Sequence, residues 1–128
     1  MKNKLKFKPV LKWIFYCTFG ALFITGVVRL FQPLSWVMKV HGAAAMVALM
    51  TLGSLIPTHI SRGWANKKNR WGGIVMIGTC AVLVFTGYGL YYFGGEIVRS
   101  TTSWIHSIVG CLFPLILVGH IWAGRKKL

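Results

Sequence analysis

The chain has almost no acidic side chains. Glu96 is the single acidic residue among 128, against fifteen lysines and arginines, which gives a formal net charge of +14. Charged residues make up 12% of the chain, about half the share usual in a soluble domain. The shortage of carboxylates argues against a zinc site built partly from carboxylates. It also argues against a proton-coupled transporter, which usually needs an acidic residue inside the membrane.

Cysteine is also scarce. The three cysteines, Cys17, Cys80 and Cys111, stand far apart in apolar sequence and form no C-x-x-C or C-x-x-C-H pattern. Their spacing argues against a zinc ribbon and against covalently attached c-type haem. We expect all three to be small, buried apolar side chains.

Long apolar runs are abundant. Hydrophobic residues account for 55% of the chain, and the mean hydropathy is +0.64. Four runs, each nearly free of charge, approach the ~20 residues with which a helix crosses the hydrocarbon core of a bilayer. They lie at about 13–31, 37–60, 71–93 and 103–123. We predict an all-α membrane protein, a single domain over residues 1–128, whose four transmembrane helices form an up-and-down bundle because the connections are short. The Ser/Thr run at 100–103 predicts the N-cap of the fourth helix.

The basic residues divide unequally between the two ends of these helices. Twelve of the fifteen precede the first run, lie between the second and third, or follow the fourth. The positive-inside rule then places both termini in the cytoplasm, and we expect the inner membrane of a bacterium as the location. Because the cations flank helices instead of forming one basic surface, we expect the lipid bilayer and not a nucleic acid as the partner.

All four histidines fall on the second and fourth helices, which run in the same direction in this topology. His41 and His106 lie near the outer ends, and His59 and His120 lie near the inner ends, so the histidines form two layers. The 18 residues from His41 to His59 make five full turns, and the 14 residues from His106 to His120 end about 40° short of four turns. Each helix therefore presents its two imidazoles on one face. Pro57 can kink the second helix just before His59.

Two imidazoles from opposite helices are an axial ligand pair for haem b. We predict two haem b groups whose iron atoms are held by an outer pair, His41 and His106, and by an inner pair, His59 and His120. Glycines on the third helix are candidates for packing against the macrocycles, and these are Gly73 and Gly87. The propionates need cations or hydrogen-bond donors near the surface, and the candidates are Lys39, Arg62, Arg99, Ser103, Trp104 and Arg125.

Four short segments carry the histidines: KVHGAAA, PTHISRGW, SWIHSIVG and LVGHIWAG. Together with Gly73 and Gly87, this layout over residues 37–123 resembles the membrane-embedded di-haem cytochrome b families. It is similar to the haem-binding bundle of the cytochrome b subunit of quinol–cytochrome c reductases, to small bacterial b-type cytochromes, and to the b-type anchor subunits of formate dehydrogenase and hydrogenase. The spacing of 18 residues on the second helix is longer than is typical of those families. The resemblance implies two haem b groups and electron exchange with quinol or quinone.

The function that we expect is electron transfer across the membrane by a di-haem b-type cytochrome. Its donor and acceptor would be quinol or quinone, or a redox partner protein on either face. Such a chain is an electron-transfer protein or the cytochrome b subunit of an oxidoreductase. Two alternatives stand beside it: a haem-free membrane anchor or accessory subunit, in which all four histidines tolerate replacement, and a small transporter, which the missing membrane carboxylate disfavours.

Overall fold

The computed structural model describes residues 9–65 and 69–125, and both ranges are helical. The elements in chain order are α1 (Pro9–Phe31), α2 (Ser35–Leu55), a π-helical turn (Ile56–Ile60), α3 (Ser61–Ala65), α4 (Arg70–Tyr92) and α5 (Glu96–Arg125). No strand occurs within those two ranges. Part of the basic set used to predict the topology lies outside the described residues, namely Lys2, Lys4, Lys6, Lys8, Lys67, Lys68, Lys126 and Lys127.

Within residues 9–65 and 69–125, four helical segments are long and apolar enough to cross a membrane. They are Val10–Phe31, Ser35–Ala65, Arg70–Tyr92 and Glu96–Arg125. Large apolar side chains point outward along them; Leu115 on α5, for example, exposes 71% of its surface. Such a surface is unfavourable in water and is covered by lipid tails in a bilayer. For the part of the chain that the structure describes, the predicted class, all-helical with four potential membrane-spanning helices, is confirmed.

The described helices form two compact units. In the first, α1 packs against α2 through a connection at 32–34, and the π turn and α3 follow; we call this unit the first hairpin. In the second, α4 packs against α5 through a connection at 93–95; we call it the second hairpin. Gly95 in that connection has φ of +89°, which a glycine adopts without steric cost, and this conformation helps the chain to reverse.

Helices α1 and α5 begin before the apolar runs that predicted them. The run at 103–123 marks only the apolar part of α5, whose backbone is already helical from Glu96. The expectation that the Ser/Thr run at 100–103 caps this helix is therefore wrong, because these residues lie inside it. Glu96 instead occupies the first turn, where a carboxylate interacts favourably with the positive end of the helix dipole.

The second apolar run changes its helical geometry at Pro57. Proline has no N–H to donate to the carbonyl of Gly53, and that carbonyl accepts the N–H of Ile56 instead. The π turn Ile56–Ile60 follows, and at its end the carbonyl of Ile56 accepts the N–H of Ser61 and, at 2.9 Å, the hydroxyl of the same residue. The irregularity expected at Pro57 thus takes the form of a π turn.

The cysteines differ from their expected burial. Cys17 and Cys111 are exposed, and Cys80 is half-buried. The expectation that all three are buried within the protein is therefore wrong. In a membrane-spanning helix a small, weakly polar thiol can face lipid as readily as it faces protein, so apolar flanking sequence does not distinguish the two.

Candidate functional site

Each hairpin links its two helices through a threonine and a histidine. In the first hairpin, Oγ1 of Thr25 on α1 lies 2.8 Å from Nδ1 of His41 on α2. In the second hairpin, Oγ1 of Thr86 on α4 lies 2.8 Å from Nδ1 of His106 on α5. Both separations are hydrogen-bond distances. The same polar contact therefore occurs once in each hairpin.

The positions of these residues along their helices bring them to one level. Thr25 lies six residues before the end of α1, and His41 lies six residues after the start of α2, so a short connection between antiparallel helices places them side by side. Thr86 also lies six residues before the end of its helix, whereas His106 lies ten residues after the start of α5. The second hairpin therefore carries about one additional helical turn at the start of α5.

Both threonine hydroxyls also bond to their own helix. Oγ1 of Thr25 donates to the carbonyl of Ala21 at 2.6 Å, and Oγ1 of Thr86 donates to the carbonyl of Val82 at 2.6 Å. This contact with the carbonyl four residues earlier is common for threonine inside a helix. Each hydroxyl therefore lies between a carbonyl of its own helix and an imidazole of the next.

A glycine follows each of these threonines and lies against the histidine ring. A Cβ atom at Gly26 would lie 3.6 Å from Cε1 of His41, and a Cβ atom at Gly87 would lie 3.3 Å from Cε1 of His106. Carbon atoms in favourable contact are about 3.5–4.0 Å apart. Gly87 therefore has no room for a side chain while the ring keeps its position, and Gly26 has just enough for a methyl group.

The four histidines differ in burial and in the regularity of their helices. His41, His106 and His120 are half-buried, whereas His59 is exposed. His59 lies in the π turn, which holds one residue more than an α turn. The additional residue can rotate His59 about the helix axis by up to about 100° relative to its position in a regular α-helix. The face shared by His41 and His59 was predicted for a continuous α-helix, which the π turn interrupts. Helix α5 runs from Glu96 to Arg125 but contains Pro114 between its two histidines, so the face shared by His106 and His120 stays a prediction.

A small cavity lies beside His120 in the second hairpin. It has a volume of about 220 Å³ and is lined by Gly72, Val75, Ile116, Gly119 and His120. The Nδ1 atom of His120 is buried. The amide of Asn69 donates to the backbone carbonyl of His120 at 3.3 Å, which ties the start of α4 to α5 at this level.

The six propionate candidates are all exposed, namely Lys39, Arg62, Arg99, Ser103, Trp104 and Arg125. Arg99 and Ser103 lie seven and three residues before His106, so α5 places them on or near the same face as this histidine. The two glycine candidates differ from each other. Gly87 contacts the ring of His106, whereas a Cβ atom at Gly73 would point into open space, and it is Gly72 that lines the cavity.

The donor set suits haem better than it suits a compact metal cluster. Within residues 9–65 and 69–125, no group of three or more His, Cys, Asp or Glu side chains could hold a metal ion. An axial haem site needs only one imidazole from each of two helices. His41 and His106, half-buried and next to glycines, have the character that such a site requires, whereas His59 is exposed. No protein-family model, curated protein or solved structure matches the chain.

Reasoning from the sequence missed Thr25, Gly26 and Thr86. The available signal is a Thr–Gly pair that occurs in both the first and the third apolar run. A threonine in an apolar helix usually bonds to its own backbone, so such a pair is unremarkable by itself. It gains meaning once the histidine of the next helix is seen to lie beside it.

Proposed function

We propose that the protein is a membrane-embedded b-type cytochrome that binds two haems and carries electrons across the membrane. In this proposal His41 and His106 ligate one iron, and His59 and His120 ligate the other. The observation that carries the proposal is the Thr–His contact with its adjacent glycine, which occurs in both hairpins. Each hairpin thereby holds one half-buried imidazole in a defined orientation, and two such imidazoles would hold a haem iron.

The proposed topology is an up-and-down bundle with both termini in the cytoplasm, in a bacterial inner membrane. The excess of lysine and arginine at the termini and in the connection at 61–70 supports this orientation. His41 and His106 then belong to the outer haem, and His59 and His120 belong to the inner haem.

The cavity beside His120 supports the inner haem. Its volume of about 220 Å³ lies below the range of about 300–1,000 Å³ typical of sites that enclose a small molecule. It would therefore receive only the edge of a flat ligand. The proposed partner ligand, His59, lies in a π turn, an irregularity found frequently at functional sites.

The bound haem would supply the redox chemistry, which is the transfer of one electron at a time. The chain would bind the iron through imidazoles, hold those rings in place and exclude water with apolar helices. Arg99 and Ser103, on the face of His106, would neutralise or hydrogen-bond propionates at the membrane surface. Quinol or quinone, or a redox partner protein, would donate and accept the electrons.

The haem content of histidine variants tests the pairing. We expect His41→Ala and His106→Ala to lose the same haem, and His59→Ala and His120→Ala to lose the other. Ser107→Ala is the matched control, because Ser107 is half-buried next to a proposed ligand and should retain both haems. Reduced-minus-oxidised spectra distinguish the two haems. Undiminished haem in all four histidine variants would overturn the proposal.

A haem-free anchor or accessory subunit is the second candidate. The same Thr–His contacts favour it, because hydrogen bonds between helices stabilise packing in a membrane by about 0.6 kcal/mol each on average. In that case the purified protein contains no haem and all four histidines tolerate replacement. Alanine at His41 or His106 then costs no more than this packing energy and changes no absorption band.

A further inference from the structure

We infer that Thr25 and Thr86 are positioning residues that fix which ring nitrogen of His41 and His106 carries the proton, so that Nε2 becomes the metal-binding atom. The consequence for haem rests on the proposed function. The tautomer itself follows from contacts within each hairpin and has a measurement of its own.

Two groups on α1 act on the tautomer of His41, namely the Thr25 hydroxyl and the backbone carbonyl of Leu22, to which the ring also hydrogen-bonds. A hydroxyl has one proton to donate, and a backbone carbonyl can only accept. Because Oγ1 of Thr25 lies 2.6 Å from the carbonyl oxygen of Ala21, its proton points there. Oγ1 then faces Nδ1 of His41, 2.8 Å away, with a lone pair. Nδ1 must therefore be the donor in this contact.

The second hairpin repeats this arrangement with different residues. Oγ1 of Thr86 lies 2.6 Å from the carbonyl oxygen of Val82 and 2.8 Å from Nδ1 of His106. The two sets of distances agree, although the two histidines stand at different separations from the starts of their helices. The same contact has thus been built on two helix pairs, which indicates a requirement beyond local packing.

The tautomer decides which nitrogen can bind a metal. A neutral imidazole carries one N–H, so a proton on Nδ1 leaves the lone pair on Nε2. Hydrogen bonds from the second ring nitrogen commonly set the orientation and basicity of a metal-ligating histidine. The glycine beside each ring adds a steric limit, because Gly26 and Gly87 lie against Cε1, the carbon between the two ring nitrogens. At Gly87 the added Cβ atom would also lie 3.8 Å from Nδ1 of His106, so in the second hairpin threonine and glycine act on the same edge of the ring.

Nitrogen NMR of the haem-free protein measures the tautomer directly. In detergent micelles with ¹⁵N-labelled histidine, we expect both His41 and His106 in the Nδ1–H form. Thr86→Val should shift His106 toward the Nε2–H form. Thr25→Val should shift His41 in the same direction but less, because the carbonyl of Leu22 still bonds to that ring. The serine variants at both positions keep a hydroxyl and should retain the wild-type tautomer. An Nε2–H form at both histidines of the wild type would overturn the inference.

Thr79 provides the matched control on α4. Its hydroxyl donates to the carbonyl of Val75 at 2.8 Å, which is the same bond to the helix that Thr86 makes. Thr79→Val should therefore leave the ¹⁵N shifts of His106 unchanged. If Thr79→Val and Thr86→Val change those shifts equally, the effect belongs to the helix in general and contradicts the inference.

Haem binding gives the second readout. Loss of a partner of the second ring nitrogen typically lowers metal affinity about 10–100-fold, and we expect a loss of this size in haem affinity for Thr25→Val and Thr86→Val. The midpoint potential should rise, because a less basic imidazole stabilises the oxidised iron less; serine should restore both properties. If the wild type takes up no haem, the proposed function fails while the NMR result still decides the tautomer. If it takes up haem and the valine variants match the wild type, the positioning role fails alone.

Discussion

Replacing Gly87 with alanine places a methyl group against the ring of His106. The new Cβ atom would lie 3.3 Å from Cε1 of that ring, inside the roughly 3.5–4.0 Å of a favourable carbon contact. The ring must therefore withdraw by about 0.2–0.7 Å. The ring is hydrogen-bonded to Oγ1 of Thr86 at 2.8 Å, and a displacement along that direction stretches the bond to as much as about 3.5 Å, beyond the normal range.

Two opposing contributions determine the change in the free energy of unfolding. Alanine is favoured over glycine inside a helix by about 0.8–1.0 kcal/mol. Overpacking costs about 1–3 kcal/mol, and a weakened hydrogen bond between membrane helices costs about 0.6 kcal/mol. Gly78 on the same helix has open space where its Cβ would lie, so Gly78→Ala reports the helix contribution alone. We expect Gly87→Ala to be less stable than Gly78→Ala by about 1.6–3.6 kcal/mol.

Equilibrium unfolding of the haem-free protein in mixed micelles, followed by circular dichroism, measures this difference. Gly26→Ala and Gly20→Ala on α1 form a second matched pair. A Cβ at Gly26 would make an ordinary contact at 3.6 Å, and one at Gly20 would meet open space. The difference within this pair should be close to zero. Equal stabilities of Gly87→Ala and Gly78→Ala would refute the contact geometry proposed for the second hairpin.

Three further predictions concern the connections and the topology. Asn69→Ala should lower the free energy of unfolding by about 1–3 kcal/mol, because alanine disfavours the left-handed φ of 54° and cannot donate to the carbonyl of His120. Asn69→Gly loses only the hydrogen bond and should cost less. A larger loss for glycine than for alanine would contradict the contribution assigned to the backbone conformation. Gly95→Ala should destabilise by about 1–2 kcal/mol in the same unfolding assay because of its φ of +89°, whereas Gly94→Ala meets open space and should be nearly neutral. A reporter enzyme that works only in the cytoplasm should be active when it is fused to the C-terminus. Activity of a reporter that works only in the periplasm, fused at the same place, would contradict the proposed orientation.

The spanning helices could be predicted because a membrane imposes a requirement that does not depend on neighbouring helices. About 20 successive residues must be apolar and must satisfy their backbone groups within one helix. The run at 71–93 accordingly matches α4 at Arg70–Tyr92 to within one residue at either end. The start of α5 was misplaced by seven residues, because hydropathy records the part of a helix that faces lipid and not the extent of its backbone hydrogen bonds.

The Thr–His contacts could not be predicted in the same way. They depend on the rotation and relative height of two helices, neither of which the apolar pattern records. The histidines stood out because they are few, but Thr25 and Thr86 resemble any threonine that bonds to its own helix. Pro57 predicted an irregularity near His59, yet only the structure shows that it takes the form of a π turn.

The haem content of the purified protein tests the central claim most directly. The full chain would be expressed with a sufficient haem supply, purified in a mild detergent and assayed as the pyridine haemochrome against protein concentration. The proposed function predicts a b-type spectrum, with a Soret band and a reduced α band, and two haems per chain. A helical, monodisperse protein that shows no Soret absorption under these conditions would contradict it.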